Sequence, residues 1–166
     1  LAAPALGAAT ATTASAGDNT TKVATTAFVN TAVASPPLPR SYLAGCTLSN
    51  NGTDATNDID IAAGVCRDST NAANITVAAM TKRLDANWAA GTNQGMRYSG
   101  AAITDTTYHI WAVSKADGTQ DIYATPNASA STASAAITLL QADTGGADYL
   151  YARRIGSIMR AGGSIV

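Results

Sequence analysis

Three prolines within four positions, Pro36, Pro37 and Pro39, cut this 166-residue chain into parts that cannot share one regular element. A proline ring fixes its own φ and biases the preceding residue towards extended backbone, so a helix arriving from the N-terminal side stops here. What arrives is a helix signal. Asp18 or Asn19 can cap it, and the run from Thr20 to Ala34 contains neither Gly nor Pro. Val23, Ala24, Ala27, Phe28, Thr31 and Ala32 are spaced to share one helical face. At about 1.5 Å per residue such a helix spans about 25 Å. That length is marginal in water, and Thr and Val lower its propensity further. The segment nevertheless holds the only Phe in the chain. We therefore expect residues 17–35 to be helical through association, with Val23, Ala24, Ala27, Phe28 and Thr31 packed between copies. A lone amphipathic helix lying on its own domain is the simpler alternative.

On either side of this segment the texture changes. Residues 1–16 are low-complexity Ala, Thr and Ser, read as an extended linker. LAAPALGAA lacks a basic stretch before its apolar residues, so it is not read as a signal peptide, and the absence of Met at position 1 suggests a portion of a longer polypeptide. Residues 36–40 form a Pro-rich connector, and residues 41–166 read as one β domain. SYLAGCTLS alternates and leads into a turn cluster around Asn51-Gly52. Asp58-Ile59-Asp60-Ile61 has the period of a half-buried strand. GVCRDSTNAA and GTNQGMRYSG read as loops. NITVAAMTKRLD reads as a strand from its Ile75-Thr76-Val77 opening, with a helical turn near 81–89 as the alternative. The clearest signal is a hairpin, TYHIWAVSK and TQDIYAT joined through Ala116-Asp117-Gly118. Residues 126–136 read as a low-complexity connection, and DYLYARRIGSIMR as a final strand. Short strands at regular spacing predict a mainly β fold, an antiparallel sandwich or jelly-roll-like domain.

Composition restricts function more than it reveals it. The hydrophobic fraction is 46%, but Ala supplies nearly half of it and large core formers are scarce. Small side chains bury little area at roughly 25 cal/mol per Å², so we expect neighbouring chains to supply part of the buried surface. With 13% charged residues and a net charge of −1, no basic stripe points to nucleic acid. No stretch approaches the ~18 apolar residues of a membrane helix.

Candidate chemistry is sparse. His109 is the only histidine and sits within a predicted strand, where a structural role is expected. Asp54, Asp58 and Asp60 cluster without the Gly and Glu of a calcium loop, and read as a turn and a solvated strand face. The chain has no Glu, and no pair of Asp residues stands out as a glycosidase site. Trp88, Tyr98 and Trp111 are candidate glycan contacts, although aromatics this scarce more often fill a core or an interface. Arg153-Arg154 could meet a phosphate-bearing glycan, but neighbours on a strand point to opposite faces. Cys46 and Cys66 lie twenty positions apart with no CxxC, which argues against zinc. They read as buried free thiols; the alternative is a disulfide, worth about 3 kcal/mol. No catalytic residue, cofactor site or metal site is expected.

GDNTTKVATTAFV resembles a recurrent phrase of tailed-bacteriophage fibre proteins. SYLAGCTLSNNGTDATNDIDIAAGVCRDST, TKRLDANWAAGT, TTYHIWAVSKADG and YARRIGSIMR resemble successive blocks of a phage tail-fibre domain, in order, over most of residues 17–160. The resemblance implies a non-enzymatic virion structural protein in a tail fibre or related appendage, assembled in the host cytoplasm. It also implies a fibrous parallel homotrimer whose helix joins modules. Its partners would be copies of itself, other tail or baseplate proteins and host-surface glycan. A distal host-contacting part would follow GGSIV. Cys46 and Cys66 depart from the pattern.

Overall fold

The computed structural model describes residues 25–27, 29 and 37–166. Val23, Ala24, Phe28, Thr31 and Ala32 lie outside the described residues. Of the N-terminal helix signal, Thr26, Ala27 and Val29 are helical, and the Val29 N–H donates to the Thr25 carbonyl at 3.0 Å. Ala27 and Val29 are exposed within the single chain. The contacts of the backbone divide the chain between Pro37 and Leu38.

Residues 38–166 are mainly β. SYLAGCTLS forms two short strands, β1 (Leu43–Gly45) and β2 (Leu48–Asn50), instead of one. Cys46 has φ +55°, a left-handed backbone that interrupts the run and sends the two strands to different sheets. β3 (Asp58–Ile61) alternates as predicted, with Ile59 and Ile61 buried. GVCRDSTNAA, expected to be a loop, begins with strand β4 (Gly64–Arg67). NITVAAMTKRLD is two strands, β5 (Asn74–Val77) and β6 (Met80–Asn87), so the helical alternative near 81–89 is excluded.

GTNQGMRYSG, also expected to be a loop, contains β7 (Gln94–Arg97), which pairs parallel with β6. Gly95 permits that approach. A Cβ there would collide with the Asn87 and Ala86 carbonyls, so its lack of a side chain is a packing requirement and not a loop signal. The predicted hairpin is present as β8 (Thr107–Lys115) and β9 (Gln120–Pro126). β9 also pairs parallel with β7, so the large sheet is mixed and not purely antiparallel as expected.

The segment from 126 to 136 is not merely a connection. Thr132 caps helix α1 (Ala133–Ala142), its hydroxyl accepting from the Ala135 N–H at 3.3 Å. Ala136 and Leu140, four apart, face inward. β10 (Tyr149–Ala161) and β11 (Ser164–Ile165) complete the chain.

One sheet runs β11-β10-β8-β9-β7-β6-β3-β2 and a smaller one runs β1-β4-β5. The large sheet curls until its ends approach. The Ile165 N–H donates to the Thr56 carbonyl at 3.0 Å, and a Cβ on Gly156 would lie 2.6 Å from Leu48 Cδ1.

β8 explains the packing. Tyr108, Ile110 and Ala112 join an aliphatic cluster with Cys66, Ile75 and Val77 of the small sheet. Trp111 and Val113 point the other way, into a cluster with Ala136 and Leu140 of α1. Both faces of β8 are therefore covered, and every residue from Tyr108 to Ser114 is buried, polar His109 and Ser114 included.

The expectation that neighbouring chains complete the interior is too strong for residues 38–166. The bulky residues are few, but Tyr108, Trp111, Tyr123, Tyr149 and most of the Ile residues are buried within one chain.

Candidate functional site

The candidate aromatic residues do not form a surface platform. Trp88 and Trp111 are buried, at 6% and 2% exposure. Trp88 Nε1 donates to the Ile122 carbonyl at 3.1 Å, and its ring meets Tyr149 edge-on at 5.5 Å between centroids. Trp111 Nε1 donates to Thr125 Oγ1 at 2.9 Å. Tyr98 is half-buried against the same cluster. These rings serve a core whose polar edges are satisfied internally. Only Tyr98 keeps appreciable exposure among the three.

Polar groups inside the domain are similarly committed. Lys82 is fully buried; its Nζ lies 2.9 Å from Asp121 Oδ1 and donates to the Ala89 and Gly91 carbonyls at 2.8 and 3.0 Å. Burial holds its pKa below the ordinary lysine value, against the pull of Asp121. Asp121 also accepts from the Gly91 N–H at 2.8 Å, so the pair pins the turn between β6 and β7. Buried Asp143 accepts from the hydroxyls of Tyr123 and Ser99, tying the end of α1 to the sheet. Burial, with Asp143 adding, pushes the Tyr123 phenol upward.

His109 joins three elements. Its Nδ1 lies 2.8 Å from Ser157 Oγ on β10, and its Nε2 lies 2.8 Å from Asn127 Oδ1 just after β9. If Asn127 accepts from Nε2–H, then Nδ1 accepts from the Ser157 hydroxyl. That chain of bonds clamps β8, β10 and the 127–130 turn, the structural role expected for a lone histidine.

The aspartates near the β2–β3 turn are used locally. Asp54 Oδ1 accepts from the N–H groups of Thr56 and Asn57, and Asp60 accepts from Thr81 Oγ1 and Asn51 Nδ2. Those bonds from Thr81 and Asn51 hold the Asp60 carboxyl below the usual range. Among the described residues no group of three or more His, Cys, Asp or Glu side chains converges for a metal. Cys46 and Cys66 are both free and buried. Burial, with Cys46 adding to it, pushes the Cys66 thiol up to about 12, where it is unreactive at neutral pH.

One concavity differs from the rest in charge. A cleft of about 280 Å³ is lined by Ser69, Trp111, Ser131, Ala133, Arg153 and Arg154. The two arginines do leave opposite faces of β10, as alternation requires: Arg154 pairs with Trp111 and Arg153 with Ala112. They nonetheless share the cleft. Nearby, the Ser69 N–H donates to the Ala152 carbonyl, closing the loop after β4 onto β10. The sequence marks Arg153-Arg154, but the start of α1 and Ser69 come from segments read as loops. The available signal was Thr132 ahead of a Gly- and Pro-free run.

Comparison with protein-family models, with characterised proteins and with solved structures found no match.

Proposed function

We propose that this chain is a virion structural protein, part of a trimeric tail fibre or related appendage of a tailed bacteriophage. In this reading it connects modules and supports host attachment, acts without catalysis, and is assembled in the host cytoplasm. The observation that carries the reading is the phrase GDNTTKVATTAFV followed in order by the fibre-like blocks of residues 41–160. The division of the chain between Pro37 and Leu38 fits a helical segment joined to a sandwich-like or jelly-roll-like fibre domain.

The mechanism is mechanical. Residues 18–34 gather three chains through small apolar faces, and each chain then presents a domain with its own interior. Small residues allow close approach, and Phe28 supplies the one large apolar contact of the segment. Copies of itself and other tail or baseplate proteins are the partners, with host-surface glycan at the attachment end. Negative-stain electron microscopy of the purified chain tests the reading: threefold particles with three β domains on a common stem are expected. A field of isolated single domains would reject it.

A further inference from the structure

We propose that the cleft beside β10 is an oxyanion site that takes a phosphate or sulfate group borne on a sugar. Among the described residues its cations lack counter-ions, and the Arg154 guanidinium makes no hydrogen bond or ion pair, although its backbone is in register with Trp111 of β8. Arg153 donates from Nη2 to the Ser41 carbonyl at 3.2 Å, while its buried Nε has no partner.

Among the described residues no acid lines the cleft. Asp68, adjacent to Ser69, spends its carboxylate on the N–H and hydroxyl of Thr70 and the N–H of Ala73. The first turn of α1 begins at the cleft wall with no acidic residue to balance its positive end. The hydroxyls of Ser69 and Ser131 make no hydrogen bond among the described residues.

The donor set selects the ligand. A guanidinium fork alone suits a planar carboxylate, whereas two guanidinium groups and two hydroxyls from separate segments suit a group with three terminal oxygens. The cleft is also larger than a bare phosphate needs. Trp111 is buried behind the wall, with its N–H committed to Thr125, and Ala133 lines the cleft beside the arginines. That leaves room for a sugar ring beyond the charged group.

The experiment is a titration of the full chain, followed by backbone amide shifts, with glucose 1-phosphate, inorganic phosphate and glucose. Glucose 1-phosphate should shift the amides of Ser69, Ser131 and Ala133 and bind more tightly than inorganic phosphate, with glucose silent. Arg154→Gln, at an exposed position, should weaken binding about tenfold or more while leaving the melting curve in place. Ala133→Glu, which puts an acid at the helix start, should also abolish binding. Equal or tighter binding of inorganic phosphate overturns the assignment to a sugar-borne group. No shift at these amides, or unchanged affinity in Arg154→Gln, overturns the site altogether. The cleft belongs to one chain, so its failure would leave the fibre reading standing, and a monomeric mass would leave the cleft standing.

Discussion

Under the small sheet, the large sheet presents Ile59, Ile61, Leu84, Met96, Ile110 and Ile122; under α1 it presents Trp88, Trp111, Tyr123 and Tyr149. The first face divides its burial among many aliphatic side chains of similar size, with Tyr108 the one buried ring among them, its hydroxyl bonded to the Thr104 backbone. The second concentrates it in four rings covered by a helix of mostly small residues. Each of those rings also carries an N–H or O–H, and Trp88, Trp111 and Tyr123 place theirs on internal acceptors. One face should therefore lose stability in small steps, and the other in large ones.

The largest effect is expected at Trp111→Ala, which should cost about 3–5 kcal/mol in urea denaturation, as for other buried aromatic truncations. Lys82→Met sharpens the contrast, since it removes a charge and not packing. It strands Asp121 and should cost about 3–5 kcal/mol by the same measurement. If Lys82→Met were neutral, the Lys82–Asp121 pair would not be the pin described here. On the aliphatic face, Ile59→Val should cost only about 0.5–1.5 kcal/mol. A loss as large as that of Trp111→Ala would erase the distinction between the faces. At the edge of the aromatic face, Thr132→Ala removes the helix cap and should cost about 1 kcal/mol, read from thermal melts.

The smallest effect is in pH. Hydrogen bonds hold Asp60 below the ordinary aspartate value of 3.8, and Asp68 is held below it as well, despite burial pushing the other way. The stability they contribute is present above that unfolded value and is lost as pH falls through their lower folded values. Asp58, raised mainly by burial, works in the opposite sense: its contribution is present below 3.8 and lost as pH rises towards its folded value. Urea melts of Asp68→Asn at pH 6 and pH 3 should show a gap from the parent that narrows at the lower pH. An unchanged gap would mean that Asp68 is not held low in the folded chain.

The two faces also differ in how legible they were. Aliphatic strands announce themselves by period: Asp58-Ile59-Asp60-Ile61 and the hairpin around Asp117-Gly118 are found where alternation and turn chemistry put them. The aromatic face depends on α1, whose Ala- and Ser-rich sequence looked like a connection because its inward stripe is only Ala136 and Leu140. β7 was hidden for another reason. Gly95, a loop signal in isolation, is there because two parallel strands need the space, and only tertiary pairing reveals that. The cleft was half visible: Arg153-Arg154 are adjacent in sequence, while Ser69 and Ser131 reach them only through the fold.

Light scattering on the intact chain and on a chain lacking residues 18–34 tests the central claim most directly. If the proposed fibre reading holds, the interior of each molecule lies in residues 38–166 and association in the N-terminal segment. The intact protein should then have three times the 16.7 kDa chain mass, and the deletion should leave a folded monomer, with Phe28→Asp behaving as the deletion does. A monomeric intact chain, or a trimer that survives the deletion, would contradict that reading.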